Sequence, residues 1–154
     1  MSGLPAPDRP QMPPGYGVGD PQYGFEPIAW AWVEQQLQAA RNYWLTVTRP
    51  GGTPHVAPVW GVWLEGALLF FTDPSSLKAR SFAQDARAAV HLESGDDVVI
   101  LEGRVEPERA TRAALDAYEA KYGVRPEHTP GAAFRVEWTK ALAWGGGGIT
   151  PPAP

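Results

Sequence analysis

The sequence predicts a mainly β domain, a six-stranded antiparallel barrel with helices at its flanks. Three observations lead there. Six stretches are rich in aromatic and β-branched residues or alternate apolar with polar positions. Three helical stretches fall among them, without the regular strand–helix alternation of a parallel sheet. The chain has 154 residues and is 44% hydrophobic, which suits one domain around one core.

The elements read in chain order as follows. Met1–Gly24 carries many prolines with Gly15, Gly17, Gly19 and Gly24. It is expected to be extended, draped over the body or over a partner chain. Residues 1–25 therefore form an N-terminal segment, residues 26–145 the domain, and residues 146–154 a Gly/Pro-rich tail. Glu26-Pro27 suits a helix start, and Trp30, Val33 and Leu37 share one face of a helix that ends near Arg41. Tyr43–Thr48 is the first strand, and Pro50-Gly51-Gly52 a turn. His55–Leu64 alternates as one long strand; Pro58 inside it implies a bulge or an edge. Glu65-Gly66 turns the chain into Ala67–Thr72, and these three strands fit a meander.

Asp73 is the expected N-cap of the next helix, with Pro74 at its first position, running to about Gln84. Ala88–Glu93 and Val98–Glu106 are strands, the second containing Gly103. Glu108–Tyr122 is a helix with Leu115, Tyr118 and Tyr122 on one face. Ala133–Trp144 is the last strand, with Phe134, Val136, Trp138, Leu142 and Trp144 on one side. The seven tryptophans either fill a small β core or line a cofactor or subunit surface.

Composition excludes several functions. The absence of cysteine removes disulfides, zinc clusters and thiol catalysis. A net charge of -4 speaks against general nucleic-acid binding. No apolar run reaches the ~18–20 residues of a membrane span. Met1–Asp20 lacks the basic-then-apolar order of a secretory signal, so a soluble, cytoplasmic protein is expected.

Few residues suggest chemistry. In Thr72–Arg80 a strand ends and a helix begins. Hydroxyl groups and two cations, Lys78 and Arg80, sit where free amides and the helix dipole favour an anion. In His55–Gly61 the proline and glycine leave backbone amides outside the ladder, open to a flat ligand. His55, His91 and His128 have no metal spacing. His91 faces opposite to Val90 and Leu92, and His128 lies in a proline-rich loop. Ser81 lacks a nucleophile-elbow context. Asp96-Asp97 reads as a charged turn, and Gly145–Gly148 lacks the Lys-Ser/Thr of a phosphate loop. If the protein is an enzyme, a cofactor carries the reaction.

The run from Arg41 to Gly61, with Phe70-Phe71-Thr72, Ser76-Leu77-Lys78-Ala79-Arg80, the stretch Asp85–Leu92 and Val99–Gly103, resembles the pyridoxamine 5'-phosphate oxidase-like split-barrel family. The resemblance spans about residues 30–144. It implies a six-stranded split β-barrel and a homodimer, with two interface sites that hold FMN or the deazaflavin F420. Some relatives bind haem or reduce tetrapyrroles. By position, Ser76, Lys78 and Arg80 would hold the cofactor phosphate. His55, Ala57, Pro58, Val59 and Trp60, with Thr72, would flank the ring, and Trp144 would come from the second subunit.

No arginine-containing segment follows Trp144, so vitamin B6 phosphate is not the expected substrate. Arg80, two residues after Lys78, is similar to the F420-using branch, whose acidic coenzyme tail makes Arg41, Arg49 and Arg87 further candidates. The resemblance implies an oxidoreductase passing a hydride between F420 or FMN and a small organic acceptor. The proton donor would be water or a tyrosine. The alternatives are a non-catalytic flavin or haem carrier and a structural dimer.

Overall fold

The computed structural model describes residues 7–8, 28–126 and 131–145. The expected helix start at Glu26-Pro27, His128 and the run Gly146–Gly148 lie outside them. The elements are α1 (Trp30–Ala39), β1 (Tyr43–Thr48), β2 (Pro54–Val59), β3 (Gly61–Leu64), β4 (Ala67–Phe71), α2 (Leu77–Gln84), β5 (Arg87–His91), β6 (Val98–Pro107), α3 (Arg112–Tyr122) and β7 (Ala133–Trp144). One seven-stranded sheet has the order β2-β1-β5-β6-β7-β4-β3. Every strand pair is antiparallel. The sheet curls into a half-barrel with three flanking helices, a mainly β fold as expected.

The strand count is seven rather than six because His55–Leu64 is two strands. The chain bends at Trp60, so β2 pairs with β1 while β3 pairs with β4. Consecutive strands thus occupy opposite edges of the sheet, which obliges the sheet to curl. The expected meander is really two hairpins, β1–β2 and β3–β4. The second turns at Glu65-Gly66, both at positive φ as a two-residue hairpin requires. Pro58 lies on an edge strand in unbroken register opposite Trp44, so the edge reading holds and the bulge reading does not.

The bulge is elsewhere. The β6–β7 register slips between Glu102 and Gly103, where Gly103 faces Trp138 and Glu102 faces Lys140. Thr139 is the extra residue, and it reverses the side-chain parity of β7. Phe134 and Val136 point into the core before it; Ala141 and Ala143 do so after it. Leu142 and Trp144 therefore do not share the face of Phe134, contrary to the expected pattern. Gly103 is required here, because a Cβ would lie 2.0 Å from the Glu137 carbonyl oxygen.

The core lies inside the curl. Tyr43, Leu45, Val47, Leu68, Phe70, Val90, Leu101 and Val136 are nearly inaccessible. Val33 and Leu37 of α1 pack into the same cluster. Each such aliphatic side chain contributes roughly 1.5–3 kcal/mol by burial. A second cluster joins β3 and β4 to α3 through Val62, Leu69, Ala114 and Tyr118.

Two helix starts differ from expectation. Ser76, not Asp73, caps α2: its side chain accepts from the Ala79 amide at 3.2 Å. The Asp73 carboxylate instead accepts from the Ser75 amide and hydroxyl, both at 2.7 Å, which ties Asp73–Ser75 into a turn. α3 begins at Arg112 under a Thr111 cap, because the Glu108 amide donates to the Ala133 carbonyl and keeps residues 108–111 out of the helix. Among the described residues, no helix is long and apolar enough to cross a membrane.

Candidate functional site

The α2 start is built from the end of β4. Thr72 follows β4, and its amide donates to the Ala132 carbonyl at 3.0 Å. The Thr72 and Ser76 hydroxyl oxygens lie 3.3 Å apart. Capping consumes the Ala79 amide, and Ser76 O accepts from the Arg80 amide at 3.0 Å. A helix leaves its earliest amides over, here those of Leu77 and Lys78. Lys78 is half-buried and Arg80 exposed, and neither makes an ion pair among the described residues. Two amides and two hydroxyls lie at one helix start, with the cations Lys78 and Arg80 in its first turns, a composition that suits a phosphate. The Ser75 bonds hold the Asp73 carboxyl below its ordinary range, so an anion also faces solvent on the N-terminal side.

The second group surrounds the bend. Val59 and Ala57 pair with Tyr43 and Leu45 of β1, and Pro58 with Trp44. His55 Nδ1 lies 3.3 Å from an Arg49 guanidinium nitrogen. Trp60 is 37% exposed and stacks on Tyr122 at 4.6 Å, nearly parallel at 2°. The Arg41 guanidinium sits 5.0 Å from the Trp60 ring and 5.7 Å from that of Tyr122. Gly61 takes no side chain, since a Cβ would lie 2.7 Å from Leu69 O.

Residues around Gly61 were missed by sequence reading. The Tyr122 hydroxyl accepts from the Gly61 amide at 3.0 Å. Its one proton goes to Arg41 O at 2.8 Å or Gly61 O at 2.9 Å. Lys121 Nζ donates to the Tyr43 hydroxyl at 2.8 Å and to Gly61 O at 3.1 Å. Tyr43 in turn donates to Leu37 O. Burial and the neighbouring Tyr122 raise the Tyr43 pKa well above the usual phenol range. Burial also pushes Tyr122 up, so both phenols stay neutral.

A third feature is the outer face of the sheet. Pro58, Trp44, His91, Ile100 and Leu142 stand opposite one another in successive strands. All are exposed or half-exposed, making an uncharged row across the sheet. Trp44 and His91 stack at 6.4 Å. His91 faces outward, as its alternation with Val90 and Leu92 implied. Trp144 lies at the same end of the sheet, opposite Val98.

Thr72 and Ser76 are thus together, as are Trp60, Arg41 and Tyr122. Among the described residues, no hydrogen bond, ion pair or ring contact joins the α2 start to the His55–Trp60 group or to Trp144. Arg87, a candidate for an acidic ligand tail, is held by Asp85 through bonds of 3.0 and 2.7 Å. No group of three or more metal-ligating residues is present among the described residues.

The sequence model of pyridoxamine 5'-phosphate oxidase matches residues 31–145. The chain belongs to the pyridoxamine 5'-phosphate oxidase-like family. No protein of curated function matches it. Among solved structures of the split-barrel fold, it is similar to a conserved hypothetical protein from Mycobacterium tuberculosis, with 20% identity and a TM-score of 0.71. That match covers 82% of this chain and 91% of the other. A structure titled F420 reductase is 22% identical, with a TM-score of 0.58 over 70% of this chain and 94% of that one. The haem storage protein from Vibrio cholerae is 11% identical, with a TM-score of 0.60 over 73% and 92%. The family match spans both residue groups described above.

Proposed function

We propose that the protein is a homodimeric oxidoreductase that binds F420, with FMN the close second, and reduces a small organic acceptor. The family match and the uncommitted cations at the α2 start carry this reading. Lys78 and Arg80 neutralise the cofactor phosphate, and the Leu77 and Lys78 amides with the Thr72 and Ser76 hydroxyls complete its shell. The strand His55–Trp60 flanks the ring with backbone groups and with the Trp60 indole. When bound, such a cofactor supplies the hydride, and the protein supplies orientation and a dry cleft. The likeness to a structure titled F420 reductase supports the deazaflavin choice. So does the second cation, Arg80.

The Tyr43 and Tyr122 protons are both committed to carbonyl groups, so water is the better proton donor. A second copy of the chain covers the row Pro58–Trp44–His91–Ile100–Leu142. A two-fold contact there brings Trp144 and the partner's edge beside the half-sites that one chain leaves separate.

One observation favours a rival reading as a haem carrier. His91 Nδ1 lies 2.7 Å from Leu92 O, which makes Nδ1 the donor and leaves the Nε2 lone pair facing outward on an apolar surface. The absorption spectrum of protein purified from its native host separates the readings. A single deazaflavin band that bleaches on reduction supports F420, and paired flavin bands support FMN. A sharp Soret band lost in His91→Ala would replace the proposal with the haem reading. Light scattering that finds a stable monomer at micromolar concentration would remove the dimer.

A further inference from the structure

β7 outruns the strand on one of its sides. β6 pairs with it from Phe134 to Trp144, whereas β4 pairs only with Ala133–Val136. Among the described residues, Glu137–Trp144 has no strand of the sheet on its β4 side. Backbone groups alternate along a strand, so Leu142 addresses β6 while Ala141 and Ala143 address the open side. The stretch Ala141-Leu142-Ala143-Trp144 carries no charge. An uncharged open edge of this kind is a template for pairing with another chain.

A residue far away in the sequence answers it. The Asp8 amide donates to Ala141 O at 2.6 Å, and the Ala143 amide donates to Asp8 O at 3.1 Å. The two bonds make a parallel bridge between Asp8 and Leu142. Both backbone groups of Asp8 are thus spent on β7. Those of Pro7 face the other way, and Pro7 has no N–H to offer a further strand. Proline recurs at Pro10, which has no amide with which to lengthen the ladder.

We propose that the open half of β7 is a strand-addition surface whose occupant is the chain's own N-terminal segment at Pro7-Asp8. This cap keeps two copies from pairing edge to edge along β7. Recognition runs through the backbone, so the exposed Asp8 side chain is dispensable and its amide is not. The cap also fixes the backbone one residue before Trp144. It lies in the plane of the sheet, whereas the row Pro58–Trp44–His91–Ile100–Leu142 lies on its face. The cap and the dimer proposed above are therefore separate, and either can fail alone.

Substitutions in the full chain test it. Asp8→Pro removes the amide that donates to Ala141 O; Asp8→Ala removes the same charge and keeps that amide. In residue-resolved hydrogen exchange, the Ala143 amide should exchange about tenfold faster in Asp8→Pro than in the wild type, the loss of one ordinary hydrogen bond. Leu142, which addresses β6, is the internal standard and should not change. Asp8→Ala should match the wild type at both. In light scattering, Asp8→Pro should gain mass with concentration over a range in which the wild type and Asp8→Ala keep one mass. The chain has no cysteine, so in Asp8→Cys with Leu142→Cys any disulfide joins the introduced residues. Peptide mapping should find it within one chain. Equal Ala143 exchange in Asp8→Pro and wild type, or equal acceleration in Asp8→Ala, would overturn the cap. Unchanged association of Asp8→Pro would overturn its protective role. A disulfide between two chains would give the edge to a second copy, and no disulfide would leave it open; either result overturns the assigned occupant.

Discussion

The α2 start and the bend at Trp60–Gly61 both set cations beside the end of a strand, yet they use them in opposite ways. At the α2 start, Lys78 and Arg80 have no ion-pair partner among the described residues, and the half-buried Thr72 and Ser76 lie in the same stretch. At the bend, Arg41 lies over two rings, Lys121 has two acceptors, and the Tyr122 hydroxyl answers Gly61 and Arg41. An unpaired charge, exposed at Arg80 and half-buried at Lys78, remains available to an anion. The half-buried Lys121 is held by the fold's own acceptors, and removing those acceptors exposes the cost of its burial. On the proposed function the first region serves a ligand, and the second serves the chain itself.

The largest expected effect breaks the bend. Tyr43→Ala removes a fully buried ring and the acceptor of Lys121. It should cost about 3–5 kcal/mol in urea unfolding. A loss below about 1 kcal/mol, the size of one ordinary hydrogen bond, would show that the bend is not what the fold depends on. Tyr122→Phe comes next. It leaves the Gly61 amide without its hydroxyl partner and should cost about 1–3 kcal/mol. Unchanged stability would mean that water replaces the phenol there.

Ser76→Ala sharpens the contrast, because Ser76 belongs to both categories. As the α2 cap it should cost about 1 kcal/mol of stability, and as a neutral donor about 0.5–1.5 kcal/mol of cofactor affinity. Ser76→Gly should restore most of the stability and none of the affinity. A variant that loses affinity alone would remove the capping role from the account.

The smallest effect is a pH dependence. Lys121 has a folded pKa near 8, below that of an ordinary lysine. Between those values the unfolded chain binds more protons than the native one, so stability rises with pH there. Above about pH 10 the unfolded tyrosines ionise while Tyr43 does not, and stability falls again. Chemical denaturation should show a shallow rise from pH 8 to a maximum near pH 10, and the rise should disappear in Lys121→Met. A flat profile in the wild type would mean that Nζ is better hydrated than its surroundings suggest.

Local signals were legible in the sequence and long-range exchanges were not. The alternation of Tyr43, Leu45 and Val47, the outward turn of His91 and the helical face of Val33 and Leu37 follow from spacing alone. The helix start at Ser76–Arg80 was visible too, although Asp73 and Ser76 are both good caps. The Asp73–Ser75 turn decided between them. The break at Trp60 is not placed by the pattern, because Val56–Leu64 is apolar or glycine at every position while the pairing partner changes from β1 to β4; Gly61 is its trace. The slip at Thr139 is marked by the adjacent polar pair Thr139-Lys140 and by Gly103 across the ladder, but Ala141–Trp144 beyond it is apolar on both faces and hides the change of parity. The contacts of Lys121 and Tyr122 with Tyr43 and Gly61 join residues 60 or more positions apart, which no local pattern reports.

The central claim is that the α2 start holds a cofactor phosphate, and a fluorescence titration tests it most directly. F420 and FMN are titrated into the wild type and into Lys78→Ala. Losing one charge-assisted hydrogen bond should raise the dissociation constant about ten- to hundredfold. The unfolding free energy should stay within about 0.5 kcal/mol of the wild type, since the Lys78 side chain has no hydrogen bond or ion pair among the described residues. Equal affinities in the two proteins would contradict the claim and leave Ser76–Arg80 as a capped surface helix.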